Sequence, residues 1–154
     1  MTKRLLIVAH APSPNTVAMR DAVLAGARHP DIAGITPDVL SPFDTAAEDV
    51  MAADGIILLT TENLGYMSGA MKDFFDRTYY PVLEEKQGLP CALIIRAGND
   101  GTGTKRGLDT ILTGLRWKQV CDPLICKGEW NDAFLPSCAE IGMTLAVGLE
   151  AGIF

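Results

Sequence analysis

The chain has 154 residues, enough for one domain with a real core, and its 48% apolar and 21% charged residues exclude a disordered polymer. Its formal charge of −6, with no cluster of Lys and Arg, argues against nucleic acid and anionic membrane surfaces as partners. Residues 5–9 are a continuous apolar run, the pattern of a strand buried on both faces. The preceding Lys3-Arg4 gives it the look of a secretory leader, but the run stops at His10 and Pro12 and is too short for one. Residues 15–28 read as a helix, capped by Asn15 or Thr16, with Met19, Ala22, Val23, Gly26 and Ala27 as its apolar stripe. Residues 35–40 make a weaker strand broken by Pro37 and Asp38, and 45–53 a short helix.

Residues 55–60 form the second strong strand. Ser68 opens a helix that runs to about Tyr80 and is stopped by Pro81. A third strong strand follows at 90–96, a helix at 104–117 and a final strand at 119–127. The last helix occupies 132–152, with Pro136 near its first turn; the apolar stretch in it, 141–154, is too short to span a bilayer and reads as core-facing. Strand and helix alternating about five times imply a single α/β domain: one parallel sheet with helices on both faces. The four cysteines, Cys91, Cys121, Cys126 and Cys138, form neither a Cys-x-x-Cys pair nor a zinc-spaced cluster. They read as free thiols packed as small hydrophobes, the usage of a reducing, cytoplasmic compartment.

In such a sheet, ligands bind outside the carboxyl ends of the strands, where strand order reverses. Three loops therefore carry the chemistry. The first, residues 10–16, leaves a buried strand and enters a helix, whose N-terminal amides and dipole favour an anion. Ser13, Asn15 and Thr16 add short side chains suited to phosphate oxygens, and His10 orients the loop. There is no Gly-x-Gly-x-x-Gly and no P-loop, so a phosphate monoester fits better than a pyrophosphate. An ordinary capped strand-to-helix turn would read the same way. The second loop, residues 60–69, is long for its place. Gly65 permits positive φ there, while Leu64, Tyr66 and Met67 offer flat or soft surface for a planar ring, or else cover the helix start. The third, residues 97–103, holds three glycines and allows close backbone approach.

Residues 61–78 read TENLGYMSGAMKDFFDRT. This string resembles the flavin-binding segment of the NADPH-dependent FMN reductase and quinone reductase group of the flavodoxin-like superfamily. Gly65, Met67, Ser68, Gly69, Met71, Lys72, Phe74, Asp76 and Arg77 all stand in register with it. The first loop and the segment PCALIIRAG with its following loop also fall in place, so the resemblance covers nearly the whole chain; it is weakest at 30–50 and after 125. It implies a three-layer flavodoxin-like fold with a five-stranded parallel sheet in the order 2-1-3-4-5. It implies FMN as cofactor, with its phosphate in the first loop at His10, Ser13, Asn15 and Thr16. Thr61, Glu62, Asn63, Leu64, Gly65, Tyr66 and Met67 would line one side of the ring, and Gly98, Asn99, Asp100 and Gly101 the other. NADPH or NADH is the implied donor, a quinone or free flavin the implied acceptor, and a homo-oligomer the implied assembly. Met71, Phe74 and Phe75 are expected in the core, and Lys72 and Arg77 solvated or paired with Asp73 and Asp76 rather than catalytic.

Three departures stand out. Ala11, Pro12 and Pro14 replace the usual Ser and Gly of the first loop, and proline lacks the amide proton that would hold phosphate. Thr60-Thr61 replaces Thr-Pro. Glu62 brings a carboxylate toward the expected ring site, where it should lower the flavin's potential. The leading expectation is an oxidoreductase with no catalytic side chain of its own. The alternatives are a flavodoxin-like electron carrier and a flavodoxin-fold interaction module that has lost FMN.

Overall fold

The computed structural model describes residues 2–154. In chain order the elements are β1 (Lys3–Ala9), α1 (Pro14–Ala27), β2 (Ile35–Leu40), a 3-10 turn (Pro42–Asp44), α2 (Ala47–Met51), β3 (Gly55–Asn63), β4 (Tyr66–Met67), α3 (Gly69–Val82), β5 (Pro90–Ala97), α4 (Thr102–Leu115), β6 (Lys118–Gln119), β7 (Leu124–Lys127) and α5 (Phe134–Ala151). The sheet runs β2-β1-β3-β5-β6, with β7 also on β5 and β4 beside β3. Every pairing except β3–β4 is parallel. This is the flavodoxin-like fold, with five parallel strand positions in the expected order.

The apolar runs are continuous because both faces of the sheet are covered. Along β1, Leu6 and Val8 pack with Ile56, Leu58, Leu93 and Ile95 against Met71, Phe74, Phe75 and Leu108 of α3 and α4. The alternate residues Leu5, Ile7 and Ala9 pack with Ile57, Leu59, Ala92 and Ile94 against Met19, Val23, Leu145 and Ala146 of α1 and α5. Strand alternation thus divides one apolar run between two cores. The helix pair α1–α5 meets through glycines: a Cβ on Gly26 would collide with the Ala139 carbonyl, and one on Gly142 with the Val23 carbonyl.

Several boundaries differ from the sequence reading. The final strand is interrupted. Cys91 faces Gln119 and Ile94 faces Leu124, so the edge chain spends five steps where β5 spends three. The surplus bulges at 120–123, where Pro123 has no amide proton to give to a ladder. Cys121 falls in this bulge and is only partly buried, while Cys91, Cys126 and Cys138 are buried. All four are free thiols. Burial pushes the Cys91 thiol up to about 12, which keeps it protonated and inert at neutral pH. Helix α3 does not stop at Pro81 but carries it in its last turn, because Val82 is buried and holds that turn against the core. Helix α5 is long and apolar enough to cross a membrane by length and composition. Here it lies on α1 and seals the second core.

On α3 the expected ion pairs form, Lys72 with Asp76 and Arg77 with Asp73. Arg77 does more than pair. Its guanidinium also donates to the carbonyls of Thr45 and Pro42, each at 2.7 Å, and so fastens the 3-10 turn and the start of α2 to α3.

Candidate functional site

The three loops gather at the carboxyl edge of the sheet, around β1, β3 and β5, and the structure gives each a different local logic. In the first, the cap of α1 is Ser13 rather than Asn15 or Thr16. Ser13 Oγ accepts from the Thr16 amide at 3.2 Å, and Thr16 Oγ1 accepts from the Ser13 amide at 3.0 Å. Thr16 Oγ1 also donates to the Ser13 carbonyl at 3.0 Å, and Thr16 is buried. This is a reciprocal capping box with Thr in the third helical position, a pairing worth about 1 kcal/mol to the helix. The donors expected to face phosphate are therefore mostly spent on each other, and Pro12 and Pro14 contribute no amide. What remains open among the described residues is the amides of Ala11 and Asn15 and the Asn15 carboxamide, at the positive end of a 14-residue helix. The His10 amide is fixed to the Leu59 carbonyl at 2.9 Å. Burial pulls its imidazole below the ordinary range, which favours the neutral ring.

The second loop is not a long loop. β3 runs on through Thr61 and Glu62 to Asn63, turns at Leu64-Gly65, and returns as β4, with Glu62 opposite Met67 and Asn63 opposite Tyr66. Both turn residues have positive φ, 53° for Leu64 and 76° for Gly65, the two-residue hairpin geometry that suits the twist of the strands. Leu64 is an unusual residue there, and its side chain is fully exposed. Tyr66 and Met67 divide as alternation requires. Met67 is buried in the core, so only its backbone can meet a ligand. The Tyr66 ring lies on Gly107 of α4, where any Cβ would collide with it. Tyr66 thus covers α4 rather than presenting its ring on the α1 side of the sheet. Thr61 Oγ1 donates to Asn63 Oδ1 at 2.7 Å.

In the third loop, Gly101 caps α4 with φ 72°. Asp100 accepts from the Thr102 amide and hydroxyl at 3.1 and 2.9 Å, and these bonds hold its carboxyl below the usual range. The Glu62 carboxylate is engaged rather than free. Oε1 accepts from the Asn99 amide at 2.8 Å and Oε2 from the Gly101 amide at 2.9 Å. Of residues 98–101 in the third loop, Gly98 and Asp100 keep open amides.

One residue escaped the sequence reading. Arg96 lies near the end of β5 in register with Thr61, on the α1–α5 side. Its Nη1 donates to the carbonyls of Ala97 and Cys126 at 3.0 and 2.9 Å. Its guanidinium stands 5.8 Å from the centre of the Trp130 ring and 5.2 Å from that of Phe134. No carboxylate pairs with it among the described residues, so it is a half-buried cation at the ligand edge, held by rings and carbonyls. A lone charge near the end of an otherwise apolar strand was the available signal.

Residues 17–130 match the family model of NADPH-dependent FMN reductases, which spans the second and third loops and all of α1 except its first turn. The chain belongs to that family. A curated flavodoxin of Aquifex aeolicus (strain VF5) is 29% identical over 112 residues, covering 73% of this chain and 60% of that protein. The chain thus spans somewhat under two thirds of that relative's length. Among solved structures, a flavodoxin from the domain Archaea superposes with a TM-score of 0.80 at 20% identity, covering 95% of this chain and 98% of that one. A WrbA-like flavodoxin protein from Agrobacterium tumefaciens gives 0.71 at 16% identity, covering 96% of each chain. At these identities the structures establish the fold, and the family match carries the rest.

The donor set fits FMN. Open amides at the start of α1 suit a phosphate, the glycine-rich third loop keeps open amides for a ring edge, and Arg96 supplies positive charge at the same sheet edge. The fit is leaner than the family pattern at the phosphate end, where the capping box and two prolines remove donors.

Proposed function

We propose that this member of the FMN reductase family is an FMN-dependent oxidoreductase that uses NADPH or NADH and delivers electrons to a quinone, a free flavin or a similar small acceptor. The observation that carries the proposal is the family match over residues 17–130, laid on a sheet edge whose first and third loops keep unspent donors. When bound, FMN supplies the hydride and electron chemistry. The chain supplies placement. The amides of Ala11 and Asn15, the Asn15 carboxamide and the dipole of α1 hold the phosphate, with His10 beside them. The backbone of Thr61–Gly65, reached along β3, borders one side of the ring, and the open amides of Gly98 and Asp100 border the other. No side chain need donate or take a proton, and none is assigned that role. The cysteine usage and acidic surface suit a reducing, cytoplasmic setting, and a homo-oligomer would add walls to a site that one chain leaves open.

The names of the relatives favour a second reading, a carrier without nicotinamide activity, since the curated relative and the archaeal structure are both called flavodoxins. Anaerobic mixing of the FMN-loaded protein with NADPH and with NADH separates the two. The oxidoreductase reading expects loss of the visible flavin band with stoichiometric consumption of one nicotinamide. A band that persists with both donors, yet fades one electron at a time under dithionite, would favour the carrier.

A further inference from the structure

We propose that Glu62 is a positioning residue: its carboxylate latches the β3–β4 hairpin to the third loop and so makes the ring-side wall of the site one rigid piece. The part that concerns the ligand rests on the FMN reading above; the latch itself does not. Three contacts hold the hairpin against the third loop and the helix α4 that follows it. Gly103 is bare enough to admit the Gly65 carbonyl, and Gly107 to admit the Tyr66 ring. Only the third is polar and bidentate: Glu62 to the amides of Asn99 and Gly101 at 2.8 and 2.9 Å.

Glycine-rich loops lose much conformational entropy on ordering, and residues 97–103 hold three glycines. A carboxylate accepting two amides, one of them at the N-cap of α4, gains from charge-assisted bonds and from the helix dipole. The latch also chooses which donors a ligand meets. It consumes the amides of Asn99 and Gly101 and leaves those of Gly98 and Asp100 open, although all four residues would otherwise be equivalent candidates. The carboxylate expected to confront the ring is thus turned into the loop, and its influence runs through the loop's shape.

The test compares wild type with Glu62→Gln and Glu62→Asp. Gln keeps the size but offers one acceptor and sets an NH2 group against an amide; Asp keeps the charge on a shorter stem. Amide hydrogen exchange at Asn99 and Gly101, read by NMR on the protein without FMN, should quicken by about ten-fold or more in Glu62→Gln, the scale of lost hydrogen bonds to a charged group. FMN titration by fluorescence should show a dissociation constant raised by about as much, with the melting temperature held and partial recovery in Glu62→Asp. Unchanged exchange in Glu62→Gln would overturn the latch. Faster exchange with an unchanged dissociation constant would overturn its role in positioning the wall. If wild type itself fails to bind FMN, the flavin reading falls, and the exchange rates still decide the latch.

Discussion

Gly103→Ala is expected to weaken FMN binding by about ten-fold or more, equivalent to at least about 1.4 kcal/mol, while leaving the fold intact. In an exposed helix, Gly→Ala gains roughly 1 kcal/mol from propensity alone. At residue 103 the new methyl would collide with the Gly65 carbonyl, which is backbone and cannot rotate away. The hairpin must then lift from α4, taking Leu64 and the bonds of Glu62 with it. The stability of the sheet does not depend on that contact, since the two cores lie on either side of β1, β3 and β5. Fluorescence titration with FMN, paired with a thermal melt, checks the prediction; a dissociation constant equal to that of wild type would show that the hairpin can shift without disturbing the site.

Gly142→Ala should give the opposite pattern, lost stability with the site's geometry preserved. Its Cβ would strike the Val23 carbonyl across the α1–α5 contact, and Gly26→Ala would do the same to the Ala139 carbonyl. Overpacking of this kind costs about 3 kcal/mol, against roughly 1 kcal/mol gained in helix propensity. The net loss of about 2 kcal/mol corresponds to a melting temperature lower by about 4–8 °C in a chain of this size. Gly69→Ala is the control, because a Cβ there meets nothing within 4 Å. Urea or thermal unfolding of the three variants should separate the first two from the third; equal stability in all three would mean that α1 and α5 are free to separate.

The fold was legible because its sheet is buried on both faces. Runs such as Leu5–Ala9 and Ile56–Leu59 carry no polar residue, and only a central parallel strand tolerates that. The helices declared their starts less well. Ser13 caps α1, though Asn15 and Thr16 looked equally able to, because any of these short polar side chains can accept an amide and only the backbone at residue 13 is extended. The edge strand was misread as continuous since an apolar run does not reveal a two-residue surplus; that depends on register against β5.

That three loops meet at one sheet edge was legible; their local geometry was less so. The string from Gly65 to Arg77 marked the segment, but the tight turn at Leu64-Gly65 was hidden. A leucine at φ 53° has no propensity argument in its favour, and only the pairing of Glu62 with Met67 creates the hairpin. Tyr66 also packs on Gly107, a partner 41 residues away that no local pattern announces. Arg96 showed only as a lone charge near the end of an apolar strand; its setting comes from Trp130 and Phe134, brought over it by the chain's return.

The central claim is that the carboxyl edge of this sheet binds FMN despite a first loop with two prolines and a self-satisfied capping box. Titration of the purified apoprotein with FMN, followed by flavin fluorescence and the visible spectrum, tests it most directly. The account predicts saturable quenching at micromolar concentrations with a shifted flavin band, and loss of affinity in Asn15→Ala. Free-flavin fluorescence and an unshifted spectrum throughout the titration would contradict it, and would make this chain a flavodoxin fold whose edge serves something other than a flavin.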